Sequence, residues 1–146
     1  LDEKSISFFD SLISSFFESR HIWPNEYLRH LSMVMHTNAE HGNVIIIGRG
    51  GSFILKDKAF RVRIIAPEEA RVEKVMRDRH MSKAEALEYV RKYDEYQVGF
   101  IKNYFKEDIN DPKHYDMMVN TDKVSIESAA ESIKKAFLLR KSMQQE

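Results

Sequence analysis

Cysteine is absent from this 146-residue chain, which excludes a disulfide framework and any thiolate chemistry. The absence fits a reducing compartment, and a cytoplasmic location is the expectation. Net charge is absent too. Lysine plus arginine number 23 and aspartate plus glutamate number 23, so bulk electrostatics does not draw the chain to DNA or to anionic lipid. No apolar run approaches the roughly 18 residues needed to span a bilayer. The opening "LDEKSISFFDSLISSFFESRHIW" is no signal peptide, because acidic residues lead it and polar ones interrupt it. Neither a nucleic acid nor a membrane is therefore an expected partner. Internal repeats, low-complexity stretches and long linkers are also missing, and one domain covering residues 1–146 is expected.

What is there alternates between two periodicities. "EKSISFFDSLISSFFESR" sets Ile6, Phe9, Leu12, Ile13, Phe16 and Phe17 at helical spacing, with Asp10, Ser14 and Glu18 on the other face. Pro24 suits the first turn of a second helix, and Gly42-Asn43 is its stop signal. "NVIIIG" follows, four β-branched residues without polar alternation, which reads as a strand buried on both faces. "AFRVRIIAP" reads as a second strand, and Pro67, Glu68 and Glu69 suit the start of the helix after it. Ser82 and Glu85 form a capping box for a long helix whose apolar stripe is Ala86, Tyr89, Val90, Tyr93, Val98 and Ile101. Asp111-Pro112 breaks the loop "DINDPKHYD", "MMVNTD" reads as a third strand, and Ser125 is the expected N-cap of the closing helix.

Unbroken apolar strands alternating with helices predict an α/β fold, a mainly parallel sheet covered by helices on both faces. Ligands of such sheets bind beyond the carboxyl ends of the strands, where "GRGG" is expected to lie. The glycine cluster is not a phosphate-binding loop of the G-x-x-x-x-G-K-[ST] kind, since no Gly-Lys pair occurs in the chain. It is not a dinucleotide fingerprint either, since Phe53 takes the third glycine's place. What remains is Arg49 between Gly48 and Gly50. Its guanidinium is suited to a phosphate or carboxylate, and the plain alternative is a tight turn with a solvated arginine.

Read in order, "GNVIIIGRGGSFIL", "IAP", "EEARVEKV", "AEALEYVRKYD", "DPKHYDMMVNTD" and "SIESAAESI" resemble the cytidylate-kinase-like proteins, a nucleoside monophosphate kinase branch of the P-loop NTPases. The resemblance covers roughly residues 25 to 138. It implies a P-loop nucleotide-kinase fold, ATP binding, and phosphoryl transfer from ATP to a pyrimidine nucleoside monophosphate of the CMP or dCMP type. It places Arg49, with Gly48 and Gly50, at the acceptor phosphate. Arg77, Arg79, Arg91 and Asp94 fall in a lid spanning residues 77–107, and Asn120 and Thr121 on the adenine side. Residues 1–41 would be N-terminal helices, 42–76 core strands and the glycine turn, and 108–146 the last strand and closing helix. Two positions depart from the family pattern. Gly50 stands where an aspartate follows the arginine, and Gln97 stands where the lid carries an arginine. A neutral amide does not replace guanidinium on a phosphoryl group.

The family's phosphate loop would precede everything seen here. Leu1 in place of methionine fits a start inside a longer polypeptide, so the fold is expected to be incomplete at its N-terminus. ATP and Mg²⁺ are expected only for the intact protein, and no metal ligand is identified. Two readings follow. One is a fragment of a nucleotide kinase, a transferase. The other is a non-catalytic, kinase-derived module for nucleotide binding, regulation or oligomerisation. In related folds the loop-bearing strand sits between the partners of "VIIIG" and "VRIIA". A homodimer or a missing N-terminal segment is expected to cover the open edges. His36 and His41 are five apart, a poor metal spacing, and "DINDPKHYD" lacks the glycine and terminal glutamate of a calcium loop.

Overall fold

The structure, a computed structural model, describes residues 24–143. The apolar stripe from Ile6 to Phe17 lies outside the described residues. In chain order the elements are α1 (Pro24–His41), α2 (Gly51–Leu55), β1 (Val62–Ile65), α3 (Glu68–Arg79), α4 (Lys83–Phe105), β2 (Met117–Asn120) and α5 (Ile126–Met143). Short 3-10 turns at Lys56–Lys58 and Pro112–His114 precede the two strands. The chain divides into two compact units between Val34 and Met35, inside α1. The contacts described below all lie within the second. No helix of the described residues is long and apolar enough to cross a membrane.

Helix boundaries follow local chemistry. α1 begins at Pro24 and ends at Gly42-Asn43, both with positive φ (70° and 52°). His80 takes the left-handed conformation after α3, and α4 then starts with a complete capping box. In that box the Glu85 amide donates to Ser82 Oγ and the Ser82 amide donates to Glu85 Oε2 at 2.9 Å. The Ser128 amide donates to Ser125 Oγ at 3.1 Å, so Ser125 caps α5 as its position predicts. α3 and α4 close on a small core of Val72, Ala86 and Val90, flanked by Val75, Met76, Met81 and Leu87. On α4 the buried positions are Ala86, Val90, Phe100 and Ile101, while Val98, expected in the stripe, is 42 % exposed.

β1 and β2 are parallel, with Val62 opposite Met117 and Ile65 opposite Asn120. The expectation of a mainly parallel, helix-flanked sheet of P-loop nucleotide-kinase type is corrected here. The described chain is mostly helical, and its sheet has two four-residue strands. The reason lies in "VIIIG". Val44–Ile47 joins no strand ladder among the described residues. The expected two-sided burial is absent as well, with Ile45 90 % and Ile47 77 % exposed. β-branched residues favour extended backbone, yet a strand needs a neighbour for its N–H and C=O groups. β1 shows the same shortage on one side. Arg61 and Ile65 carbonyls accept from Met117 and Thr121 amides on the β2 side. By alternation Val62 and Ile64 direct their backbone groups to the other edge, where no described strand pairs.

Asp116 fastens the amino end of this pair. Its Oδ2 accepts from the Arg61 amide at 2.7 Å, from Arg61 Nε at 3.2 Å and from Arg140 Nη1 at 2.9 Å. Arg140 also donates to the Ala59 carbonyl, so one carboxylate joins β1, β2 and α5.

Candidate functional site

The glycine turn between Ile47 and α2 combines three unusual backbone angles. Gly48 (φ 74°), Arg49 (φ 53°) and Gly50 (φ 71°) are left-handed in succession, and Gly51 opens α2. A glycine takes this conformation freely, whereas an arginine there carries a strain of about 1 kcal/mol. Gly50 is also tight. A Cβ there would lie 2.7 Å from the Phe105 ring and 3.3 Å from Phe100. The turn is thus packed against the C-terminal half of α4. Phe53 of α2 stacks on Phe105 with ring centres 5.4 Å apart and meets His114 at 4.8 Å. Arg49 itself is half-buried and has no hydrogen bond or ion pair among the described residues.

A second group of charges lies at the carboxyl end of β1. Arg71 of α3 holds Asp94 of α4 in a two-pronged pair at 2.6 and 2.8 Å, and its Nε donates to the Ala66 carbonyl just past the strand. The hydrogen bond that Arg71 donates to Asp94, helped by the carboxylate's charge, raises the Arg71 pKa against the opposing effect of burial. One turn earlier on each helix, Arg91 holds Glu68 at 3.0 and 3.1 Å. The Arg91 hydrogen bond keeps the Glu68 carboxyl below its ordinary value. Past β2, the Thr121 amide and hydroxyl both donate to the Ile65 carbonyl, and Asn120 Oδ1 accepts from the Asp122 amide. Arg63, in mid-strand, brings Nη1 to 3.5 Å from Gln97 Oε1.

The sequence-derived site residues therefore fall in several places. Arg91 and Asp94 are brought together by Glu68 and Arg71, two partners that the sequence reading did not single out. The signal for them is present: Glu68-x-x-Arg71 and Arg91-x-x-Asp94 carry opposite charges at the same spacing. Asn120 and Thr121 sit at the carboxyl end of β2 and stabilise the turn there. Arg79 lies over the Tyr89 ring at 4.4 Å, and Arg77 is exposed on α3. The turn that carries Arg49 packs at Gly50 against Phe100 and Phe105, and no hydrogen bond or ion pair joins Arg49 to the Arg71–Asp94 group.

The sequence profile of the cytidylate kinase-like family matches residues 1–123. The chain belongs to the cytidylate kinase-like family. Over 98 residues this family member is 31% identical to the cytidylate kinase of Pyrococcus horikoshii. The alignment covers 67% of the chain and 51% of that protein, so the chain spans about half the length of the curated relative it matches. Among solved structures it resembles an uncharacterized protein from Eubacterium ventriosum, with a TM-score of 0.62 at 20% identity. That match covers 69% of this chain and 60% of the other, and shows a shared fold.

Family membership does not carry the expected site with it. The expectation of an ATP-binding transferase with a P-loop NTPase fold is corrected by the residues present. No phosphate-loop motif occurs in the sequence, and among the described residues no three His, Cys, Asp or Glu side chains gather where they could hold a metal ion. Asp94, expected in a lid, is already taken up by Arg71. These residues do not fit a Mg²⁺–ATP site.

Proposed function

We propose that this chain is a non-catalytic, kinase-derived binding module that takes up a nucleoside monophosphate of the CMP or dCMP type through its phosphate. The observation that carries the reading is Arg49: a guanidinium on a left-handed turn, with left-handed glycines on both sides and no charged partner among the described residues. Guanidinium pairs with phosphate through two parallel hydrogen bonds, and open space beside Gly48, where a Cβ would meet nothing within 4 Å, leaves room for that approach. Similarity to a cytidylate kinase supports a nucleotide as the ligand. The internal engagement of Arg91 and Asp94 supports binding without transfer. ATP and Mg²⁺ enter this proposal only for a longer protein that carries a phosphate loop. Titration of CMP, dCMP and inorganic phosphate into the chain and into Arg49→Ala tests it. Loss of the charge-assisted pair is expected to weaken phosphate binding at least about tenfold. Equal binding by both proteins removes Arg49 from the site.

The open edge of β1 favours a second role, assembly. Ile64, Ile45 and Ile47 are all more than half exposed, and among the described residues Val62 and Ile64 have no ladder partner on one side. A homodimer would cover that edge. A monomer in sedimentation at micromolar concentration would contradict this role.

A further inference from the structure

We infer that Arg63 and Gln97 form an oxyanion site, one that takes a phosphate group, free or as the monophosphate of a nucleotide. The inference rests on the phosphate-binding reading above and adds a residue that neither the sequence nor the family match assigns. Arg63 lies in the middle of β1, under α4, and its Nε is buried without a hydrogen-bond partner. Its only described hydrogen bond is the 3.5 Å contact from Nη1 to the neutral Gln97 amide, at the outer limit of such bonds. No carboxylate among the described residues pairs with it. One turn before Gln97 on α4 stands Asp94, and Arg71 already neutralises it with both prongs.

Arg63 thus carries a positive charge into a half-buried place without a carboxylate partner among the described residues. By contrast Arg61 and Arg140 share Asp116 and Arg71 holds Asp94, while Arg49, like Arg63, has no carboxylate partner among the described residues. A partly desolvated cation whose one side-chain hydrogen bond among the described residues goes to a neutral amide is costly, and an anion removes that cost. A phosphate oxygen can take the two outer nitrogens of Arg63, while the Gln97 amide group turns its NH₂ toward the same oxygens. An amide can serve either as acceptor or as donor, so Gln97 fits the empty and the filled state alike. Phe100, against which Gly50 packs, is three residues from Gln97 on the same helix. The Arg49 turn and Arg63 thus border one stretch of α4, which fits a single phosphate held from two sides.

The test is ¹⁵N-detected NMR of the arginine Nε–H groups during titration with inorganic phosphate, CMP or cytidine, on the wild-type chain, Arg63→Met and Arg49→Ala. Met keeps the length of the apolar stem, and the thermal midpoint of each variant reports that it is folded. A shift of the Arg63 Nε–H on adding CMP or inorganic phosphate, silence with cytidine, and an affinity at least about tenfold weaker in folded Arg63→Met support the site. A shift with inorganic phosphate but not CMP supports the free ion as the ligand. If CMP binding survives Arg63→Met and is lost in Arg49→Ala, the Arg63 site is overturned while the binding module stands. Failure of phosphate and CMP to bind the wild-type chain overturns both. If Arg63→Met does not fold, Gln97→Leu replaces it, with the same shift and the same direction of loss required.

Discussion

Replacing Asp116 by alanine removes the fastening between β1, β2 and α5. The wild-type carboxylate receives the Arg61 amide, the Arg61 side chain and the Arg140 side chain. The three side chains are 17–28 % exposed, between an open surface pair and a buried one. Surface pairs contribute about 0–1 kcal/mol, and breaking a fully buried pair costs about 3–5 kcal/mol. The orphaned Arg61 amide adds to the loss. About 2–3 kcal/mol is the expected cost, which lowers the thermal midpoint by about 5–10 °C for a chain of this size. Asp116→Asn keeps the shape without the charge and is expected to lose about half as much.

The pH dependence gives a second reading of the same contact. Burial pushes the Asp116 carboxyl up, but the hydrogen bonds from Arg61, with the charges of Arg61 and Arg140, outweigh it and hold the group below its ordinary 3.8. A carboxyl that is depressed in the folded state contributes stability above its unfolded pKa and loses it as pH falls through the folded value. The gap between wild type and Asp116→Asn should stay level from pH 7 to about 5 and close below about 4. Thermal melts followed by circular dichroism across that range decide the matter. A midpoint change under 2 °C in Asp116→Ala, or a gap that persists unchanged at pH 2–3, would refute the reasoning.

Two further outcomes follow from the turn and the unpaired segment. Gly50→Ala places a methyl group against Phe105 and forces a left-handed alanine, so a loss of about 1–3 kcal/mol is expected in urea unfolding. In the unassembled chain Ile45, 90 % exposed, should accept lysine with a change within about 0.5 kcal/mol, and the amides of Val44–Ile47 should exchange hydrogen far faster than those around Val90. Slow exchange at Ile45 and Ile47 would show that the segment pairs with something in solution.

Local signals were legible in the sequence wherever one residue decides the outcome. Pro24 marks a helix start because it has no N–H to leave unpaired, and Gly42-Asn43, the Ser82–Glu85 box and Ser125 mark helix ends because each satisfies a backbone group within its own turn. "VRII" and "MMVN" were legible as strands because each finds the other. "VIIIG" has a stronger strand composition than either and is no strand here, because pairing depends on a neighbour and not on the segment itself. The same distinction separates the site residues. Arg49 could be singled out from its flanking glycines, whereas Arg63 looked like an ordinary strand residue. Its interest comes from what surrounds it in space: a neutral amide at 3.5 Å and an Asp94 already occupied.

The central claim is a module that binds a nucleotide phosphate without transferring one. It is tested most directly by measuring CMP binding and CMP-dependent ADP release on the same sample, with ATP and Mg²⁺ present. The expected result is saturable CMP binding that is weakened at least about tenfold by Arg49→Ala, with ADP release at background at every CMP concentration. ADP release that rises with CMP occupancy would contradict the account, and so would the absence of CMP binding.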